Sequence, residues 1–168
     1  MSFGVDAEKA ESAFCRIGQL LGYICQRPDK EIRQGPDVLW CTASKKYILI
    51  ECKTEVLLAR KYISKSEAGQ MEEHCAWFEA TYGEDTLFEP ILVIPTERLA
   101  KDAYFSHDTK VLKKEGLVNL KKQIRDFFKE FKKFDFSGLD ADLINQKLVA
   151  HNLHNDQFLQ KFVVSPQK

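Results

Sequence analysis

The stretch YILIECKTE, residues 47–55, decides how this chain is read, because its apolar run ends in Glu51 and Lys53 rather than in a turn. The consecutive residues Tyr47, Ile48, Leu49 and Ile50 describe a strand inside a sheet that is covered on both faces. Side chains alternate along a strand. Ile48, Ile50 and Cys52 therefore point to one face, while Leu49, Glu51 and Lys53 point to the other. That places a carboxylate and an ammonium on one face, about 7 Å apart along the strand. Such an acid and base at the end of a buried strand have the geometry of a site.

The neighbouring segments extend this pattern. Upstream, DVLWC at residues 37–41 is a second strand, and TASKK at 42–46 is a short polar link. The two strands are expected to pair as an antiparallel hairpin. Asp37, opening the first strand, then comes to lie beside Glu51 and Lys53 at the end of the second. Before the hairpin, residues 6–21 have helical periodicity (Ala10, Phe14, Ile17, Leu21) and stop at Gly22. A short strand follows toward Cys25, and RPDKEIRQGP at 27–36, with two prolines and a glycine, reads as loop. After the hairpin, residues 66–82 form a helix with Ser64 or Ser66 as its cap, Met71, Cys75 and Phe78 on one face, and Gly83 at its close. FEPILVIP at 88–95 is another buried strand. A strand reached through a helix favours parallel pairing.

Beyond Thr96 the chain is expected to be mostly helical, near 97–104, 116–133, 138–151 and 155–163. The expectation is therefore an α/β core over residues 1–105 and a mainly helical extension over 106–168, with a soft boundary between them. At 168 residues the chain is long enough to bury roughly 70% of its unfolded surface. Charged residues make up 30% and hydrophobic ones 44%, which is the composition of a soluble globular protein rather than a disordered or membrane one. No apolar run approaches the roughly 20 residues of a membrane span, and the acidic start (Asp6, Glu8, Glu11) is unlike a signal peptide, so a cytoplasmic protein is expected. Five cysteines, without a Cys-x-x-Cys pair, suggest neither a disulfide framework nor a zinc site.

The 25 basic and 25 acidic residues balance overall but not locally. From Lys110 to Lys133 nine basic residues face three acidic ones. Leu117, Leu120, Ile124, Phe127, Phe128 and Phe131 recur there at helical spacing, which makes an amphipathic helix with a basic outer face. Lys121, Lys122, Arg125 and Lys129 on that face are candidate phosphate contacts, against the alternative of an ordinary solvated surface.

Three stretches together, GPDVLW, LIECK and ISKSEAGQ, resemble the PD-(D/E)xK nuclease superfamily over roughly residues 8–95. Taken singly, Asp37 is a turn residue after Gly-Pro and Glu51–Lys53 a strand-end ion pair; their common register in one hairpin is what favours a site. The resemblance implies a restriction-endonuclease-like mixed central sheet flanked by helices. It also implies Asp37 and Glu51 as metal ligands with the backbone carbonyl of Cys52, and Lys53 as the residue that assists the attacking water. Glu11, on the first helix, stands where many members carry a further acidic ligand, with Glu8 the competing choice. Gln70 falls where several branches carry a glutamine. Those branches place a tyrosine four residues later, whereas this chain has His74. Lys65 is a candidate phosphate contact beside it.

The expected activity is metal-dependent hydrolysis of DNA phosphodiester bonds, with Mg2+ as cofactor and Mn2+ as a substitute. Two carboxylates suit a hard divalent cation that fills its remaining positions with water and phosphate. The alternatives are RNA as substrate, a non-catalytic nucleic-acid-binding or assembly module, and a small-molecule enzyme built on the same carboxylates. DNA is the expected partner, with no membrane. A second copy, or a helicase or restriction subunit, is a further candidate.

Overall fold

A computed structural model of the chain describes residues 3–4, 6–56, 58–133 and 140–168. The first helix, α1 (Ala7–Leu20), is capped by Asp6, whose carboxylate accepts the Lys9 N–H at 3.2 Å, and it buries Ala10, Phe14 and Gly18. Gly18 is required where α1 crosses the sheet, because a Cβ there would stand 2.5 Å from the Trp40 indole nitrogen. The short β1 (Ile24–Gln26) follows, and then α2 (Pro28–Ile32), a single helical turn where the sequence suggested only loop. Pro28 pre-sets the first helical φ, Asp29 and Glu31 favour the helix start, and Arg33 in a left-handed conformation ends it. The same residues that read as loop punctuation are thus start and stop signals for one turn.

The expected hairpin is present as β2 (Val38–Ala43) and β3 (Lys46–Cys52), antiparallel, with Val38 opposite Ile50. That register sets Asp37 beside the end of β3. Helix α3 (Lys65–Tyr82) starts at a capping box: the Ser64 hydroxyl accepts the Glu67 N–H at 3.3 Å, and Glu67 accepts the Ser64 N–H at 2.8 Å. It ends at Gly83 and leads into β4 (Leu87–Val93), which pairs parallel to β3.

The segment 97–104 is not helical; it carries isolated bridges from Arg98 to Gln167 and from Leu99 to Ile63. Leu99, Ala100 and Ala103 join the cluster of Ile63, Ala68 and Met71, and the backbone at 98–100 is bonded to Ile63 and Gln167 rather than along a helix. A fifth strand that the sequence reading missed, β5 (Lys110–Leu112), adds parallel to β4. Three residues are too few to show periodicity. The chain then forms α4 (Lys114–Glu130), a 3-10 turn (Phe131–Lys133), α5 (Ala141–Ala150) and α6 (Asn155–Phe162). Positions 138 and 139 of the expected third late helix lie outside the described residues.

The sheet has the order β1-β2-β3-β4-β5, an antiparallel meander of three strands joined to a parallel set of three through β3. It is an α/β fold with a mixed sheet flanked by helices. On one face Phe14, Trp40, Ile48 and Ile50 pack with Leu117, Leu120, Ile124 and Phe158 from α4 and α6. On the other, Leu39, Leu49 and Leu92 pack with Ala68, Met71, Cys75 and Phe78 of α3. The predicted alternation along β3 holds. Among the described residues no helix is long and apolar enough to cross a membrane.

Cys15 and Cys25 correct the cysteine reading: α1 and β1 lie side by side, their Cα atoms are 5.6 Å apart, and a disulfide joins them. A ten-residue separation matches no motif, so only the packing of helix on strand reveals the pair. Cys52 and Cys75 are buried thiols, and Cys41 is partly exposed.

Candidate active site

The site is built where β3 ends. Glu51 is only 1% exposed, so its carboxylate was removed from water on folding and needs compensation from neighbours. Lys53 donates to Glu51 Oε1 at 2.8 Å and to Gln70 Oε1 of α3 at 2.6 Å. The ammonium is thereby fixed between an acid two residues back and an amide on the facing helix. Asp37, at the mouth of β2, accepts the Cys52 N–H through Oδ2 at 2.7 Å. This bond uses a backbone donor that the end of the ladder leaves free, and it fixes the Cys52 peptide against the carboxylate.

Burial and mutual repulsion drive the two acids apart in charge. Burial, then the charge of Glu51, pushes Asp37 up to about 7 against its usual 3.8, with the Cys52 N–H pulling the other way. Burial also opposes the charge on Glu51, but His74 and Lys53 together outweigh it and hold Glu51 below the usual carboxylate range. Burial likewise works against the charge on Lys53, and Glu51 overcomes it and raises the ammonium above its ordinary value. At neutral pH the site thus holds one ionised carboxylate, one charged lysine and one carboxylate near its midpoint.

Two residues that the motif reading did not assign to the site contribute to it. His74, one helical turn after Gln70, places Nε2 3.1 Å from Glu51 Oε2. Both atoms are buried, and the contact is an ion-pair approach rather than an aligned hydrogen bond, so neither atom has a well-directed partner. The spacing from Gln70 to His74 was a usable signal, because residues four apart share a helix face. The second is Arg27, which donates to Glu8 at 2.9 and 3.0 Å and also pairs with Glu11. Nothing local marks Arg27; only the packing of α1 beside the end of β1 joins these groups.

Glu11 and Glu8 are separated by position. The Glu8 side chain is 53% exposed and is held down to about 2 by Arg27 and Lys30, whereas that of Glu11 is 15% exposed and is raised above its usual range, chiefly by burial. Glu11 is also near enough for its charge to raise Asp37 and the buried Cys52 thiol. Of the two acids, Glu11 is the more buried and the one whose charge reaches Asp37.

Beside these residues an open cleft of 790 Å³ is lined by Lys65, Ser66, Gly69, Gln70, Glu73 and His74. Lys65, Gln70 and His74 are therefore brought together. The basic face of α4 is not: α4 packs through Leu117, Leu120 and Ile124 on the face of the sheet away from α3. Lys122, Arg125 and Lys129 are exposed there, Lys121 partly so, and Lys129 is paired with Asp126 at 3.1 Å.

Among the described residues no three His, Cys, Asp or Glu side chains form a ready-made metal cage. Magnesium does not require one, since it is held by one or two carboxylates and keeps several waters. Glu51 Oε2, buried and without an aligned hydrogen-bond donor, is an atom such a cation would satisfy. The residues present fit the ion. Comparison with known proteins leaves the assignment to the site itself: no protein-family model, curated protein or solved structure matches this chain significantly.

Proposed function

We propose that the protein is a metal-dependent nuclease of the PD-(D/E)xK type that hydrolyses DNA phosphodiester bonds. The observation that carries this reading is the junction at the end of β3, where Lys53 joins Glu51 to Gln70 while Asp37 grips the next peptide of the same strand. The order α1, a three-strand antiparallel meander, α3 and a parallel β4 also agrees with a restriction-endonuclease-like core. Asp37 and Glu51 would hold Mg2+ with the carbonyl of Cys52, and Glu11 is the further acid in reach of that group.

When bound, the ion supplies positive charge against the phosphate and acidifies the attacking water. Lys53, held by Glu51 and Gln70, orients that water and offsets charge that develops on the phosphate oxygens. Gln70 fixes the lysine rotamer, so less freedom is lost on reaching the reactive geometry. Asp37 must release its proton to serve as a ligand, and its position near 7 makes that step sensitive to pH around neutrality.

The test is incubation of linear duplex, nicked duplex and single-stranded DNA with magnesium or manganese, beside EDTA and a Lys53→Ala variant. Cutting that needs metal and disappears in the variant supports the nuclease. A wild type that cuts none of the three DNA substrates with either metal sinks it.

A further inference from the structure

A second surface lies beside the site at the start of α3. Three separate parts of the chain are stitched there by backbone hydrogen bonds: Ile63 N–H donates to Arg98 O at 2.7 Å, Ala100 N–H to Ile63 O at 2.9 Å, and Leu99 N–H to Gln167 O at 2.6 Å. The Thr96 hydroxyl donates to the Lys61 carbonyl at 3.0 Å. These bonds make a fixed platform rather than a loose loop. A cleft of 480 Å³ opens on it, lined by Tyr62, Leu99, Ala100, Lys101 and Lys168.

Tyr62 is 51% exposed although the next residue, Ile63, is wholly buried. The ring is therefore half accessible beside an anchored backbone, on the rim of a cleft with an apolar floor. Around it four exposed cations, Lys61, Arg98, Lys101 and Lys168, belong to the same stitched segments, against the exposed acid Asp102. Arg60 is already committed: its two terminal guanidinium nitrogens each lie 2.8 Å from a Glu67 carboxylate oxygen, and its Nε donates to the Tyr62 carbonyl at 3.0 Å. An aromatic face with an apolar floor and a surplus of uncommitted cations matches a stacked base with flanking phosphates.

We propose that this platform binds an unpaired base of single-stranded DNA, with Tyr62 stacking on the base and Lys61, Arg98 and Lys101 meeting the adjacent phosphates. The inference rests on the nuclease reading of the neighbouring site and names its substrate as a single strand or a single-stranded end. Tyr62 lies at most about 10 Å along the chain from Lys65, and Gln70 is about 7.5 Å further along the helix. One strand of a few nucleotides spans both. Duplex DNA cannot use the platform as readily, because its bases already stack on each other and must be pulled out at a cost.

The experiment measures binding of a labelled mixed-sequence oligonucleotide, single-stranded or duplex, to the whole chain in EDTA, and then cleavage of both in magnesium. Wild type is expected to favour the single strand. Tyr62→Ala should weaken single-strand binding about 5- to 100-fold, Tyr62→Phe should stay within about twofold, and duplex binding should barely change. Lys101→Gln should reduce the salt dependence of single-strand binding by about one phosphate equivalent. A Tyr62→Ala variant that binds the single strand like wild type, while wild type still cleaves DNA, overturns the platform and leaves the nuclease standing. So does an equal loss on single strand and duplex. A wild type that neither binds nor cleaves either form overturns the nuclease reading and the platform with it.

Discussion

The two ends of the central sheet carry similar residues in different states. At the carboxyl end of β3, Glu51 is wholly buried, Asp37 is partly buried, and Lys53 is held at hydrogen-bond distance by two partners. At the opposite end a cleft of 540 Å³ is lined by Thr42, Lys46, Glu89, Lys110 and Ser165 among others, but there Lys46 and Glu89 are exposed and Lys110 pairs at 2.7 Å with an Asp108 that is itself 85% exposed. Both ends have an acid, a base and a cavity. They differ in the depth of desolvation: Glu89 is raised by burial and by Asp108 yet stays exposed, while at the other end Glu51 is removed from water and set against both Lys53 and His74. Buried charges cost stability, so the end that keeps them is where chemistry is expected.

Activity should separate the two ends most sharply. Lys53→Ala is expected to lower metal-dependent cleavage about 10²- to 10⁴-fold, whereas Lys110→Ala and Glu89→Gln should leave it within about twofold, as measured by initial rates on a labelled oligonucleotide. Comparable losses at both ends would erase the contrast.

His74 sharpens it next. As the side chain set against Glu51 Oε2, it should act on the carboxylate rather than on substrate. His74→Ala is expected to weaken magnesium affinity about 10- to 100-fold, read from the magnesium dependence of the melting temperature and confirmed by the metal concentration for half-maximal rate. Unchanged metal affinity in a folded His74→Ala protein would remove His74 from the site.

Stability against pH gives the third contrast. The folded-state value of Asp37, about 7, lies above the 3.8 of an unperturbed aspartate, so the folded protein keeps a proton that the unfolded chain has released. In EDTA that contribution is full below pH 4 and falls as pH rises from about 4 to 7, by about 2 kcal/mol between pH 5.5 and 7.5. Asp37→Asn should flatten this slope in urea melts at those two pH values. Glu51 acts in the opposite sense, its contribution being present above the ordinary carboxylate range and lost in acid, so the two windows do not overlap. An identical slope in wild type and Asp37→Asn would show that Asp37 is not buried as described.

The smallest effect is expected from the basic helix. Since α4 packs on the face away from α3, Lys121→Gln with Lys122→Gln should lower single-strand affinity by no more than about threefold at physiological salt. A loss as large as that of Tyr62→Ala would put the strand on α4 instead.

Much of the site was legible in the chain because its signals are local. The alternation along Tyr47 to Lys53 predicts that Glu51 and Lys53 share a face, and the short link at 42–46 predicts the hairpin that brings Asp37 to them; both hold. Ser64 and Gly83 mark α3 to within one residue, and so place Gln70 on it. The expected helix at 97–104 failed because the backbone of Arg98 and Leu99 bridges to Gln167 and Ile63, partners that no spacing within the segment records.

By itself, the sequence determined an α/β chain with a buried hairpin carrying Asp37, Glu51 and Lys53, because strand alternation, turn chemistry and helix caps act over a few residues. Only the tertiary structure decided what these residues meet. The burial of Glu11 against the exposure of Glu8, the Arg27 pairing, the approach of His74 to Glu51, the Cys15–Cys25 disulfide and the packing of α4 on the sheet face away from α3 all depend on which residues packing brings together. The physical reason is that burial and Coulomb interactions depend on distance through space, and the chain order leaves most of those distances open until the sheet and its helices have closed.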